Sequence, residues 1–238
     1  MSKINIKLIQ GSGFIAKKFG KFEPILKKYN VIIYAAGISN SAEKNKVLLN
    51  KEISRIKKFC SINRKKMIYI STYSIFDKTR NRSYYIKNKI IIEKIIKANV
   101  KNFLIIRFPE IVGKNNNSNT LTNFFYKNIK IQKKFFVYNN AKRNLLDIDD
   151  AIKLSLYFIK KYSQTNKIIN LLNLNFYKPI EIVNSFEKLL KKTTKYEFKN
   201  IDKKNWRIKN SINLSLSKKL GINFNDNYLF KTLKKYYK

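Results

Sequence analysis

Residues 6–16 read Ile-Lys-Leu-Ile-Gln-Gly-Ser-Gly-Phe-Ile-Ala, a short apolar run followed by two closely spaced glycines. The run predicts a strand over residues 4–9, and Gly11, Gly13 and Ala16 predict a Gly-x-Gly-x-x-Ala turn at the start of a helix. Small residues in such a turn let the backbone approach a pyrophosphate, whose charge a helix N-terminus favours. The alternative is an ordinary tight turn in which glycine is needed only for backbone geometry. The chain has six glycines in all, so two of them in this turn favour the pyrophosphate interpretation.

Short apolar runs alternate with amphipathic stretches along the chain, which is typical of a parallel sheet with crossover helices. Further strands are predicted at residues 31–35, 66–70, 103–107 and 167–171. Helical spacing is found at residues 47–59, 86–96, 121–129 and 181–190. We therefore predict an α/β fold, a Rossmann-like doubly wound parallel sheet with a small C-terminal lobe. The core is expected over residues 1–113 and the lobe over 114–238, with a strand near 168–171 returning to the core sheet; the polar run 114–119 marks the boundary.

Composition excludes several kinds of site. The 238 residues contain no His and one Cys. An internal disulfide, Ser-His-Asp or Cys-His catalysis and the usual structural zinc site are therefore excluded, and we predict no bound metal. Neither a secretory signal nor an apolar run of the ~18 residues that a membrane span needs is visible. We expect a cytoplasmic protein with no membrane partner.

The chain is strongly basic, with 52 Lys and Arg against 14 Asp and Glu and a formal net charge of +38. Such a charge alone points to nucleic acid or an anionic membrane as partner. The lysines, however, are spread through every segment, and Lys, Asn and Ile all have AT-rich codons, so a biased genome would give the same composition. The aromatic residues lie mostly in apolar patterns typical of a core. A nucleic-acid binder therefore stays open as a hypothesis, but we do not expect nucleic acid to be the main partner.

A second motif has the residue types of an acid/base site. Residues 67–77 read Met-Ile-Tyr-Ile-Ser-Thr-Tyr-Ser-Ile-Phe-Asp, an apolar strand that ends in hydroxyl side chains, and Tyr85 and Lys89 follow on a predicted helix. Residues four apart share a helix face, so the Lys89 ammonium would favour ionisation of the Tyr85 phenol, and Thr72 could bond the same substrate oxygen. The spacing Tyr-x-x-x-Lys occurs four times, starting at Tyr85, Tyr126, Tyr138 and Tyr157. Only the first follows a strand that ends in Ser and Thr.

Taken in order, these motifs resemble the extended short-chain dehydrogenase/reductases, the NAD-dependent epimerase/dehydratase family. The form is similar to nucleotide-sugar reductases and epimerases but shortened, and the resemblance covers nearly the whole chain. Besides the glycine turn and the pair Tyr85 and Lys89, the similar segments are residues 31–37 (VIIYAAG), 70–77 (ISTYSIFD), 104–113 (LIIRFPEIVG) and 143–150 (RNLLDIDD).

The resemblance implies hydride transfer between NAD or NADP and a nucleotide-activated sugar, and a role in surface polysaccharide synthesis. Its catalytic residues would be Thr72, Tyr85 and Lys89, with Lys89 on the nicotinamide ribose. The cofactor-binding residues would be Gly11, Gly13, Phe14, Ile15, Ala35, Ala36, Gly37, Tyr85, Lys89 and Pro109. The substrate-binding residues would be Thr72, Thr120, Asn123 and Arg143. A homodimer would also fit the resemblance.

The chain departs from the family pattern between the first strand and the Ala-Ala-Gly strand. Only residues 17–30 lie there, where the family has a helix, a strand, another helix and a further strand. The residue that reads the ribose 2′ position belongs to that region and is missing, so NAD and NADP stay open. Gln10 replaces the first Gly of the family's turn, and Asp147 replaces its usual His. A second hypothesis is therefore a catalytically inactive or partner-dependent Rossmann-fold binding protein, which keeps the strand motifs for packing.

Three other features are given ordinary structural interpretations. Asp147, Asp149 and Asp150 start a helix, where carboxylates cap or favour the N-terminal dipole. Trp206 is expected to pack within the lobe. Cys60, in an apolar setting at the end of a helix, is expected to be an inert core residue.

Overall fold

The computed structural model describes residues 6–77, 83–200 and 210–238. In chain order its first elements are β1 (Ile9–Gln10), α1 (Phe14–Gly20), α2 (Glu23–Lys28), β2 (Val31–Tyr34), α3 (Lys46–Ile62), β3 (Lys66–Thr72), a 3₁₀ helix (Tyr73–Phe76), α4 (Tyr84–Asn99) and β4 (Phe103–Phe108). The elements that follow are β5 (Glu110–Val112), α5 (Leu121–Lys130), β6 (Phe135–Tyr138), β7 (Leu145–Asp147), α6 (Ile148–Lys161), β8 (Lys167–Asn170), α7 (Pro179–Leu190), β9 (Tyr196–Lys199), α8 (Leu214–Lys219) and α9 (Tyr228–Tyr237).

The chain divides into two compact units. The first unit comprises Met1–Phe108 and Ile152–Leu171, and the second comprises Pro109–Ala151 and Leu172–Lys238. The sequence placed the division after residue 113, whereas the structure places it at Pro109. The reason is that β5 pairs with β7 of the second unit. Most of α6 returns to the first unit together with the predicted strand β8.

The first unit is built on a five-stranded sheet of the described residues, in the order β1-β2-β3-β4-β8. Every neighbouring pair is parallel, with Ile33 opposite Ile68 and Ile105 opposite Ile168. Successive side chains of a strand point to opposite faces, and all four residues of β2 are buried. Both faces of the sheet are therefore covered. The predicted α/β class with a parallel, Rossmann-like sheet is confirmed.

The short connection between β1 and β2 holds two short helices and no strand. α2 starts with Pro24 in its first turn and buries Leu26, a helix that the sequence analysis did not predict. β1 is shorter than the strand predicted over residues 4–9, and it ends one residue later, at Gln10. Residues 6–8 are not part of it, and residues 1–5 lie outside the described residues. The strand order rises steadily from β1 across the sheet, so the shortened segment leaves β1 at the edge of the described sheet.

One face of this sheet packs against α3 and α4. Their buried apolar residues form a cluster with alternate residues of the strands: Ile32, Tyr34, Ile56, Phe59, Cys60, Met67, Tyr69, Ile92, Ile96, Val100, Phe103 and Ile105. Along α4, the buried stripe is apolar at Ile92 and Ile96 but polar nearer its N-terminus, at Asn88 and Lys89. The first turns of α4 therefore bring polar groups to the carboxyl end of the sheet.

The second unit contains two short parallel strand pairs, β5 with β7 and β6 with β9. Helices α5, α7 and α9 pack on one another around a core that includes Phe125, Phe135, Phe186 and Leu233. Trp206 lies outside the described residues. Within the part of the chain that the structure describes, no helix is long and apolar enough to cross a membrane.

Candidate active site

The glycine turn after β1 lies directly against the end of β2. Gly11 has a positive φ of 127°, and a Cβ there would be 2.6 Å from the carbonyl oxygen of Ala35 and 3.0 Å from the Ala36 nitrogen. Gly13 differs, because it is the N-cap of α1 and a Cβ there would meet no atom within 4 Å. Phe14 and Ile15 are the first two residues of α1. Gly11 is therefore required by packing and backbone geometry, whereas the space beside Gly13 is open.

A buried ion pair lies at the loop that follows β2. Lys89 Nζ on α4 donates to Glu52 Oε1 on α3 at 2.8 Å, and Asn88 Nδ2 donates to Glu52 Oε2 at 2.9 Å. The side chains of Lys89 and Glu52 are only 4% and 5% exposed. A Cβ on Gly37 would collide with Lys89 Nζ and Glu52 Oε1. Gly37 thus allows the backbone to pass next to the pair.

Three tyrosines lie near this pair. Lys89 Nζ is 5.5 Å from the ring centroid of Tyr85 and 5.8 Å from that of Tyr69. Burial raises the pKa of the Tyr69 phenol, an effect that the Lys89 charge opposes. Burial, with a further contribution from Glu52, raises the pKa of Tyr34 to about 12. For Lys89, burial acts to lower the pKa, but Tyr69, Tyr85 and Glu52 outweigh it, so the net shift is upward and the ammonium stays charged.

Two buried polar atoms of this cluster have no hydrogen-bond partner among the described residues. They are the Tyr69 hydroxyl and Asn88 Oδ1. Buried polar groups are rarely left unpaired in proteins, so this is a place where a water molecule or a ligand group is expected. Tyr85 is also buried, with a relative exposure of 9% for the whole residue.

The hydroxyl cluster at the end of β3 is divided between two roles. Ser71 donates to Glu93 Oε1 at 2.6 Å, and Arg107 binds both oxygens of Glu93, at 2.9 and 2.5 Å. Ser71 therefore belongs to a network that fastens α4 to β3 and β4. Thr72 caps the 3₁₀ helix by accepting a bond from the Ser74 nitrogen at 3.1 Å, and its side chain is partly exposed at the carboxyl end of the strand.

The second unit uses two of its predicted substrate residues for local structure. Thr120 caps α5, accepting from the Asn123 nitrogen at 3.4 Å. Asn123 Nδ2 donates to the carbonyl oxygen of Asn117 at 2.8 Å, and its Oδ1 accepts from the Tyr237 hydroxyl at 2.5 Å. These contacts occupy both ends of the Asn123 amide.

Arg143 is placed differently. Its backbone exchanges two 2.8 Å hydrogen bonds with Tyr177, and its Nε lies 4.0 Å from Glu110 Oε1. Pro109, which the sequence analysis placed beside the nicotinamide, is the first residue of the second unit. The substrate roles of Thr120, Asn123 and Arg143 stay predictions.

The family model that matches this chain is the NAD dependent epimerase/dehydratase family, over residues 25–171. The match covers more than half of the chain and includes β2, β3, α4 and β4. The chain belongs to this family. The match begins after the glycine turn, which agrees with the shortened segment as the region where the chain departs from the family pattern.

Several solved structures share the fold of this chain. One is UDP-glucuronic acid 4-epimerase from Bacillus cereus in complex with NAD, with a TM-score of 0.70 and 18% identity over all of this chain and 78% of the other. RMD from Pseudomonas aeruginosa, complexed with NADPH, has a TM-score of 0.68 and 12% identity over 95% of each chain. UDP-N-acetylglucosamine 4-epimerase from Bacillus cereus has a TM-score of 0.62 and 17% identity over 89% of this chain and 79% of the other. The search of curated proteins found no match.

The structure also brings out residues of this family member that the sequence analysis missed. Glu52, Asn88 and Tyr69 surround Lys89, and none of them was predicted to take part in the site. Glu52 stands 37 positions before Lys89, and no local motif links the two. The signal available in the sequence was weak: an acidic residue on the apolar side of the predicted helix 47–59, in a chain with few carboxylates.

Proposed function

We propose that the protein is an NAD(P)-dependent oxidoreductase or epimerase that acts on a nucleotide-activated sugar. The observation that carries the proposal is the arrangement of Tyr85 and Lys89 on the first turns of α4, with the ammonium 5.5 Å from the phenol ring, in a chain of the NAD dependent epimerase/dehydratase family. Solved relatives with this fold include an epimerase bound to UDP-glucuronic acid and NAD.

The residues at the carboxyl end of the sheet fit a dinucleotide. The N-terminus of α1 has no side-chain cap, and the space beside Gly13 is open, which suits the approach of a pyrophosphate to backbone N–H groups. In this proposal the cofactor site is lined by residues that follow β1 and β2 or start α1: Gly11, Phe14, Ile15, Ala35, Ala36 and Gly37. Lys89 would hold the nicotinamide ribose, and Pro109 would flank the nicotinamide. The chemistry that a bound nicotinamide supplies is hydride transfer.

The chain's own side chains would handle the proton. Tyr85 is the candidate acid/base, because its hydroxyl makes no hydrogen bond within the described residues and its ring faces a buried ammonium. Thr72 would orient the sugar oxygen from the end of β3. Thr120, Asn123 and Arg143 are proposed to bind the nucleotide sugar. Because nucleotide-activated sugars are building blocks of polysaccharides, we place the reaction among cytoplasmic steps that supply surface polysaccharide synthesis.

The alternative is a Rossmann-fold binding protein without catalytic activity. The observation that favours it is the Lys89–Glu52 pair, since a carboxylate at 2.8 Å offsets the positive charge that would otherwise promote ionisation of a nearby phenol. A scaffold of this kind would have no need of a functional cofactor turn.

Calorimetric titration with NAD⁺, NADH, NADP⁺ and NADPH separates the two functions. We expect micromolar or tighter binding of at least one cofactor. Binding should be lost in Gly13→Asp, which places a carboxylate where the pyrophosphate would lie, and kept in Tyr85→Phe. The cofactor that binds is then used to screen UDP-sugars for turnover by wild type and Tyr85→Phe. If folded, nucleotide-free protein binds none of the four cofactors, the enzyme proposal is wrong and the binding-protein alternative replaces it.

A further inference from the structure

The ammonium of Lys89 is held in an ion pair with Glu52. Glu52 Oε1 takes one of its three N–H groups at 2.8 Å, and the Tyr69 hydroxyl also interacts with this ammonium. Glu52 is itself fixed from its other side by Asn88 at 2.9 Å. The carboxylate therefore lies between two residues of α4 and connects α3 to the first turns of that helix.

A buried ammonium needs a counter-charge to stay charged and in place. Burial alone disfavours the charged form of a lysine, and an opposite charge within a few ångströms restores it. Around Lys89 the neighbouring rings belong to Tyr69 and Tyr85, and Glu52 is the carboxylate in direct contact. Without that carboxylate, the amine would either lose its proton or leave its position beside Tyr85.

We propose that Glu52 is a positioning residue of the proposed cofactor site, holding the Lys89 ammonium in the place from which its remaining N–H groups meet the nicotinamide ribose. This inference rests on the proposed function. Glu52 acts through Lys89 and is not expected to touch the cofactor. A Cβ at residue 37 would meet both atoms of the pair, so the glycine there leaves room for the side chains of Lys89 and Glu52.

The test compares two ligands that differ in the part Lys89 would contact. Reduced cofactor carries the nicotinamide ribose, whereas ADP carries only the adenosine half and the pyrophosphate. Dissociation constants of NADH, NADPH and ADP are measured by titration calorimetry for wild type and Glu52→Gln. We expect Glu52→Gln to raise the dissociation constant of the reduced cofactor about tenfold or more, which is the size of effect expected when a charged hydrogen bond is lost. ADP binding should stay within about twofold.

Glu93→Gln is the matched control. Glu93 on α4 is also a buried carboxylate of the first unit, and it pairs with Arg107 on β4. Among the described residues its side chain makes no ion pair with Lys89. Glu93→Gln should lower stability about as much as Glu52→Gln does. It should not weaken binding of the reduced cofactor more than binding of ADP. If Glu52→Gln does not fold, Glu52→Asp keeps the charge but draws the carboxylate back by one methylene, and should show the same separation to a smaller degree.

The outcomes are distinct. Equal weakening of reduced cofactor and ADP, or no weakening of either, overturns the positioning role while the proposed function stands. Wild type that binds none of NAD⁺, NADH, NADP⁺ and NADPH overturns both the proposed function and this inference. Selective loss of the reduced cofactor in Glu52→Gln, but not in Glu93→Gln, supports the proposal.

Discussion

Each unit of the molecule has a lysine paired with carboxylates, Lys89 with Glu52 and Lys235 with Asp147 and Asp149. The two clusters around these lysines differ in burial and in how many of their polar atoms are hydrogen-bonded. The Lys89 cluster (Glu52, Tyr69, Tyr85, Asn88 and Lys89) is buried, and the Tyr69 hydroxyl and Asn88 Oδ1 have no partner among the described residues. In the Lys235 cluster, Lys235 bonds Asp147 at 2.9 Å and Asp149 at 2.8 Å with 45% of its side chain exposed.

The second cluster fastens a helix. Tyr236 adds a bond to Asp147 at 3.1 Å, and Tyr228 donates to Asp150 at 2.8 Å while accepting from the Asp147 nitrogen at 3.0 Å. These bonds attach α9 to the start of α6, where Asp147 also accepts from the Asp149 nitrogen at 2.7 Å. A cluster whose groups bond one another is explained by structure alone, whereas unused buried groups, as around Lys89, call for a ligand or water.

The largest effect is expected from breaking the Lys89 cluster. Lys89→Met leaves the Glu52 carboxylate buried without its counter-charge, which should lower the free energy of unfolding by about 3–5 kcal/mol. Adding Glu52→Leu removes the stranded charge, so the double variant should recover most of that loss. Urea denaturation of wild type, both single variants and the double variant measures this. A single variant that costs less than about 1 kcal/mol would show that the pair is far more hydrated than the structure indicates.

A smaller effect should come from crowding the same cluster. Gly37→Ala puts a methyl group against Lys89 Nζ and Glu52 Oε1, and such overpacking costs about 1–3 kcal/mol. Gly13→Ala is the matched substitution, since nothing lies within 4 Å of its Cβ and its effect on stability should stay within about 0.5 kcal/mol. Thermal and urea unfolding of the two variants should separate them clearly. Equal losses would mean that Gly37 does not sit against a fixed pair.

Tyr228→Phe is expected to have an intermediate effect in the second unit. The variant removes the hydroxyl that bridges the Asp147 nitrogen and the Asp150 carboxylate, and leaving a buried N–H unpaired should cost about 1–2 kcal/mol. Calorimetric titration should find cofactor affinity unchanged, because the partners of this hydroxyl, Asp147 and Asp150, are not proposed to bind the cofactor. A loss of affinity in a folded variant would show that the Lys235 cluster contributes to cofactor binding.

The smallest effect is expected at Lys235. The side chain of Lys235 is 45% exposed, and the buried Asp147 keeps its bonds from Tyr236 and the Asp149 nitrogen. Lys235→Met should therefore change the free energy of unfolding by no more than about 1 kcal/mol. The effect should shrink further as salt is raised, because exposed charges are screened. Urea denaturation at low and high salt measures both. A large, salt-independent loss would place Lys235 with Lys89 as a buried charge.

Local pattern was enough to predict the fold class and the elements on which the candidate residues lie. The apolar strands, the helix that starts near Tyr84 and the hydroxyl residues at the end of β3 all follow from periodicity and order along the chain. Cys60 is buried as expected, and burial raises the pKa of its thiol to about 11. Asp147 caps the next turn, as its place before a helix predicted.

Long-range pairing was not predictable in the same way. Glu52 meets Lys89 only because α3 and α4 pack side by side, and Asn123 meets Tyr237 across 114 positions. The family resemblance implied that Thr120 and Asn123 bind the substrate, and in the structure both side chains also bond within the chain, to the turn before α5 and to the last helix. A sequence pattern gives residue types and spacing, whereas the number of bonds that a side chain has left depends on tertiary contacts.

Because β8 pairs with β4 of the first sheet, this sheet can be completed only late in the synthesis of the chain. β4 is complete at Phe108, but its neighbour on the other side, β8, begins only at Lys167. During synthesis, β4 stays an unpaired, apolar edge strand until the intervening residues and β8 itself have left the ribosome. Such edges are prone to join other chains. An amino-terminal fragment ending at Phe108 should therefore aggregate, and this protein should depend on chaperones most at that stage of its synthesis.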